Sequence, residues 1–144
     1  MLTFSEKDIH EIAQQLDCGF RCFYHCETGE LLFIPNEFKH VGMDLEAWSE
    51  EQEKLENNFD SYQEIEQLQS SDNFSIMADF AEQLSGNERL RNQLRTVLNN
   101  KHPFRNFKFI IDNSGSYRQQ WFNFKNQRIV DWARERLNTG TPGF

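Results

Sequence analysis

Phe20-Arg21-Cys22-Phe23-Tyr24-His25-Cys26-Glu27-Thr28-Gly29-Glu30-Leu31-Leu32-Phe33-Ile34-Pro35 is the stretch that decides the fold. Phe20, Cys22 and Tyr24 alternate with Arg21, Phe23 and His25, the period of two expected of a strand, whose successive side chains point to opposite faces. Glu27-Thr28-Gly29-Glu30 supplies a tight turn in which Gly29 can take a positive φ. Residues 31–34 return as the partner strand until Pro35, which has no N–H to give a ladder, stops them. The segment reads as a β-hairpin over about residues 20–34.

Upstream, Ser5 stands three residues before Asp8, Phe4 and Ile9 are placed as a hydrophobic staple, and Ile9, Ile12, Ala13 and Leu16 recur at helical spacing. These features predict an N-terminal helix. Downstream, residues 44–58 are dense in Glu with Leu45, Trp48 and Leu55 as apolar anchors, which suits an exposed helix or a mobile acidic excursion. Residues 61–68 hold Tyr62 and Ile65 in a rough alternation and predict a third strand beside the hairpin, with one wet face.

From Ser71 onward the pattern is helical. Asp72 is expected to cap a helix carrying Ile76, Met77, Phe80, Ala81 and Leu84, closed by Gly86, and Asn87 to cap the next, with Leu90, Leu94, Val97 and Leu98. Pro103 opens a third with Phe104, Phe107 and Ile111; residues 113–116 break it; a last helix runs over about 117–138 until Gly140 and Pro142. The fold class expected is α+β: a small three-stranded antiparallel sheet packed with an N-terminal helix and a C-terminal all-helical half. Residues 1–144 are read as a single domain with an acidic α/β portion 1–86, a basic helical portion 87–138 and a short tail 139–144.

With 144 residues, 38% of them hydrophobic, the chain can build a core without disulfide, metal or bound cofactor, and no cofactor is expected. No apolar run approaches the ~18 residues that cross a bilayer, so no membrane partner is expected. Met1-Leu2-Thr3-Phe4-Ser5-Glu6 lacks the basic and apolar segments of a secretory signal, and the expected location is cytoplasmic.

The net charge of −8 conceals an uneven layout. Residues 1–86 carry four basic and 19 acidic side chains, a net −15, and residues 87–144 carry 11 basic and four acidic, a net +7. Two readings follow: the halves attract each other, within a protomer or across a homo-oligomer, or the basic half is offered to an anionic partner.

The cysteines, at 18, 22 and 26, are odd in number and spaced unlike zinc-ribbon ligands, so reduced, buried structural thiols are expected. His25 beside Cys26 is no metal pair in a strand, where neighbours face opposite ways. The seven glycines form no phosphate loop, the four histidines include no His-Glu-x-x-His pair, and no serine has the flanks of a nucleophile elbow. No catalytic or metal-binding residue is therefore assigned, and the reading leans away from an enzyme.

The strongest candidate surface lies on the basic helices. Arg105 and Lys108 share one side of a short helix and are expected to meet Arg118, Lys125 and Arg128 of the last helix in one patch. Phe104 with Phe107, and Trp121 with Phe124, are each three apart and are placed to fill the core; exposed, such rings would stack on unpaired bases.

Leu16-Asp17-Cys18-Gly19, Tyr24-His25-Cys26-Glu27-Thr28-Gly29-Glu30, Ile34-Pro35-Asn36-Glu37, Met77-Ala78-Asp79-Phe80, Phe104-Arg105-Asn106-Phe107-Lys108 and Trp121-Phe122-Asn123-Phe124 follow one another in an order and spacing that resembles an uncharacterised bacterial protein family, number 0158 of the UPF series. The resemblance runs from about residue 9 to residue 137. It implies an intact bacterial α+β domain and carries no catalytic or binding residue with it. The function expected is a small non-catalytic interaction module whose basic, aromatic helical surface meets a protein partner or a second copy. The alternative is a module associated with RNA or single strands, disfavoured by the net charge; an enzyme of unknown class is a second alternative.

Overall fold

A computed structural model of the chain describes residues 3–36 and 45–139. Of the expected tail 139–144, Thr139 belongs to the last helix, while residues 140–144, with Gly140 and Pro142 as helix stops, and residues 37–44 lie outside the described residues. The fold is α+β, with six α-helices and one three-stranded antiparallel sheet among the described residues. Two compact units divide the chain, Met1–Gln67 with Ile129–Phe144, and Leu68–Arg128.

In the first unit, helix α1 (Glu6–Asp17) opens on the expected capping box: Ser5 Oγ accepts the Asp8 N–H and the Asp8 carboxylate accepts the Ser5 N–H. Its buried stripe of Ile9, Ile12, Ala13 and Leu16 belongs to a helix that packs on the first strand. Strands β1 (Phe20–His25), β2 (Leu31–Pro35) and β3 (Tyr62–Ile65) form the sheet in the order β2-β1-β3. Gly29, at φ 78°, makes the hairpin turn, and the His25 ring accepts the N–H groups of Glu27 and Thr28 through Nδ1. That ring is part of the turn.

Both faces of the sheet are covered near β1, so Phe23 is buried as fully as Cys22 and Tyr24. Phe23 pairs with Leu32 across the ladder and clusters with Ile34 under Leu55. Leu55 comes from helix α2 (Ser49–Asn57), which follows a short 3-10 turn at Leu45–Trp48 and has no buried residue of its own. For the acidic segment, helix rather than excursion is the outcome over its described part.

β3 is shorter than the expected 61–68. After Ile65 the chain leaves the ladder: the Glu66 carbonyl accepts the Trp132 indole N–H, and the Gln67 side-chain amide donates to the Phe20 carbonyl. Trp132 lies on the last helix, α6 (Tyr117–Thr139), whose Ile129, Val130, Ala133 and Leu137 are buried.

The second unit contains α3 (Ser70–Gln83), α4 (Glu88–Leu98), α5 (Pro103–Asp112) and the Tyr117–Arg128 part of α6. Asp72 is not the N-cap of α3. It sits one turn inside and reaches back to accept the Gln69 N–H at 2.8 Å, which starts the helix three residues earlier. Gly86 does not close that helix either: the cap falls on Leu84 in an extended conformation, and Gly86 turns the chain at φ 84° toward Asn87. Asn87 is the N-cap of α4, its Oδ1 accepting the Leu90 N–H at 3.0 Å. Asn87→Ala is expected to lower stability by about 1 kcal/mol, read as a shifted urea midpoint. The core of this unit is aromatic: Phe80 meets Trp121 at 5.3 Å and Phe124 at 5.5 Å between ring centres, and Phe107 meets Trp121 at 4.8 Å.

Of the three thiols, all free, only Cys22 is buried. The expectation that all three are buried is corrected at Cys18 and Cys26, because Cys18 caps α1 and Cys26 starts the hairpin turn, and both places open to solvent. Among the described residues no helix is long and apolar enough to cross a membrane.

Candidate functional site

Helix α5 forms because Pro103 at its first position needs no N–H partner and has the φ a helix wants. Its buried stripe is narrow, consisting of Phe107 and Ile111. Phe104, expected in the core, is 43% exposed, and Phe109 is 70% exposed. One turn separates Phe104 from Lys108 and Arg105 from Phe109, so two rings and two cations share the outward side of one short helix. Arg105 and Lys108 are exposed and meet no carboxylate among the described residues.

The other three cations are differently placed. Arg118 donates from Nε to Asp112 Oδ1 at 3.2 Å and lies 4.7 Å from the Phe122 ring centre. Lys125 is half-buried, with its ammonium near the same Phe122 ring and that of Trp121. Arg128 donates to Asp79 of α3 at 2.7 Å and covers Phe124. Arg118 thus continues the α5 face through Asp112, one turn beyond Lys108, and shares a ring with Lys125, whereas Arg128 is tied to α3. Ring faces attract such cations at about 0.5–1 kcal/mol where solvent reaches them.

Alongside, residues of α4 and α5 line an open groove of about 640 Å³. Glu88, Arg89, Asn92, Gln93 and Thr96 give it hydrogen-bonding groups and Ile110 an apolar edge. Among the described residues no three His, Cys, Asp or Glu side chains gather as metal ligands would.

Sequence reasoning missed one cluster in the first unit. Glu30 accepts from Lys54 Nζ at 2.8 Å and from the Tyr62 hydroxyl at 2.7 Å, and the Tyr62 ring stands edge-on to His25 at 5.0 Å. Lys54 and then Tyr62, by their hydrogen bonds, hold the Glu30 carboxyl below the usual range, while burial and the bond to Glu30 push the Tyr62 phenol up to about 12. A phenol held that firmly is a poor proton donor near neutrality. The cluster braces α2 and β3 to the hairpin end. The one available signal was Lys54, the sole basic residue among Glu50, Glu51, Glu53 and Glu56.

Compared with known proteins, residues 2–141 match the model of an uncharacterised protein family, UPF0158. A curated UPF0158 protein of Pseudomonas aeruginosa is 25% identical over 131 residues, which cover 90% of this chain and 80% of that protein. No solved structure matches.

Proposed function

The chain belongs to the UPF0158 family, and from that premise we propose that it is a cytoplasmic, non-catalytic interaction module that offers the outer face of α5 to a protein partner. The observation that carries this reading is the pairing of two exposed rings, Phe104 and Phe109, with two uncommitted cations, Arg105 and Lys108, on one helix face. Exposed aromatics ringed by charge are the usual anchors of protein interfaces, where a few such residues dominate the binding energy. Arg118 and Lys125 extend the surface, and Arg128 serves it only by fixing α6 to α3.

A single-stranded nucleic acid is the second reading, favoured by the interleaving of Phe104, Arg105, Lys108 and Phe109, since bases stack on rings at about 1–3 kcal/mol each. Against it, Asp112 and Asp79 already neutralise Arg118 and Arg128, leaving few phosphate contacts, and the chain as a whole carries −8. A photo-crosslinking phenylalanine analogue placed at position 109 separates the two. Irradiated in cells, it is expected to give a protein adduct, absent when the analogue sits at exposed Gln120 instead. A nucleic-acid adduct, or none, would overturn the reading.

A further inference from the structure

We infer that the occupant of the α5 face is a second copy of this chain, which brings to it the acidic α2 and the exposed Phe59 that follows; this rests on the α5 reading above. Three large apolar side chains stand exposed among the described residues, Phe59, Phe104 and Phe109. All three lie beside charge, and the charges are opposite. Phe59, 69% exposed, is flanked by Asp60 and follows a helix whose exposed Glu50 and Glu53 stand one turn apart, with Glu56 beside them. Phe104 and Phe109 flank Arg105 and Lys108.

The unit holding α2 carries a net −12 and the unit holding α5 a net +4 over residues 68–128, counted from the sequence. Charge complementarity therefore favours α2 of one copy against α5 of another. A symmetric contact of α5 with α5 would set Arg105 and Lys108 against their own equivalents, and like charges face to face suppress such a pairing. Each copy gives one patch and receives the other: two copies close into a pair where both contacts form reciprocally, and otherwise the pairing repeats from copy to copy. Rings fill the centre and charges the rim, so association is expected to weaken as salt rises past the point where the screening length falls below about 8 Å.

Two charge-swapped proteins test this, Arg105→Glu with Lys108→Glu, and Glu50→Lys with Glu53→Lys, all at exposed positions. In sedimentation at low salt the unaltered chain is expected to gain mass with concentration, and each variant alone to associate at least about tenfold more weakly. Mixed, the two variants present opposite charge at both contacts, the Glu50 and Glu53 patch of one to Arg105 and Lys108 of the other and the introduced Glu to the introduced Lys, so association is expected to return in species that contain both variants. Association of the unaltered chain with no species containing both variants in the mixture would overturn the inference. A monomer at every concentration would do so as well. In that case a position-109 adduct with a different protein in cells leaves the α5 reading standing, while a nucleic-acid adduct or none removes both.

Discussion

Phe80→Ala is expected to destabilise the protein by about 3–5 kcal/mol, the cost of truncating a fully buried ring in a site that collapses only in part. Phe80 is 1% exposed and touches Trp121 and Phe124 edge-on or tilted, and Trp121 in turn touches Phe107. Removing it empties the middle of a four-ring cluster, so the remaining rings lose edge-to-face contacts beyond the area they bury. A domain's whole stability is about 5–15 kcal/mol, and a chain of this size loses about 2–4 °C of melting temperature per kcal/mol. A drop on the order of 10 °C is therefore expected in thermal melts followed by circular dichroism. Phe109→Ala, the same chemical change on an exposed face, is expected to shift stability by less than about 0.5 kcal/mol. Equal losses from the two would mean that Phe109 is buried and the proposed surface is not one.

The same contrast marks how far the sequence can be read. The period of two in residues 20–25, the glycine at 29 and the capping pair Ser5 and Asp8 are local signals, and the hairpin and α1 stand where these signals put them. Asn87 and Pro103 likewise mark the starts of α4 and α5. Asp72 was ambiguous because a carboxylate satisfies the first turn equally from the cap or from three residues inside it. β3 ended early for a reason remote in sequence: Trp132, 66 residues beyond Glu66, takes the carbonyl that a longer strand would have used.

The basic surface was legible in composition and only partly in geometry. Helical spacing puts Phe104 and Phe107 on one side, and spacing cannot tell a buried position from the rim of a narrow stripe. Nor can it foresee that Asp79, 49 residues before Arg128, occupies that guanidinium. Phe109, with the highest exposure of the large apolar residues described, stands in the segment 104–109 that the sequence offers as a candidate surface, but composition alone does not say which of its three rings faces outward.

At pH 8, in the native protein, two thiols are expected to react readily with an aromatic disulfide reagent and the third only on unfolding. Cys22 is 0% exposed, opposite Phe33 and Ile65 on the neighbouring strands, and its Sγ leans on the Phe20 carbonyl at 3.8 Å. Burial, with a smaller push from the Glu64 carboxylate, drives its pKa from 9.0 up to about 12. The reactive species is the thiolate, so at pH 9 its population is lower on the order of a thousandfold than for an ordinary cysteine, before any steric shielding is counted. Cys18 and Cys26, both exposed, are the two that react. The same shift links stability to pH. Below pH 9 the thiol is protonated whether the chain is folded or not, and the folded state keeps its full advantage. Above it the unfolded chain releases the proton first, so stability falls by about 1.4 kcal/mol per pH unit until the folded thiol itself ionises near 12. Tyr24 and Tyr62 are also raised, from 10.0, so they add to the slope only above that value. Urea titrations between pH 9 and 10 therefore isolate the cysteine, and Cys22→Ala is expected to flatten that interval while lowering stability at neutral pH. An unchanged slope in the variant, or three thiols reacting at one rate in the folded protein, would place Cys22 in contact with water.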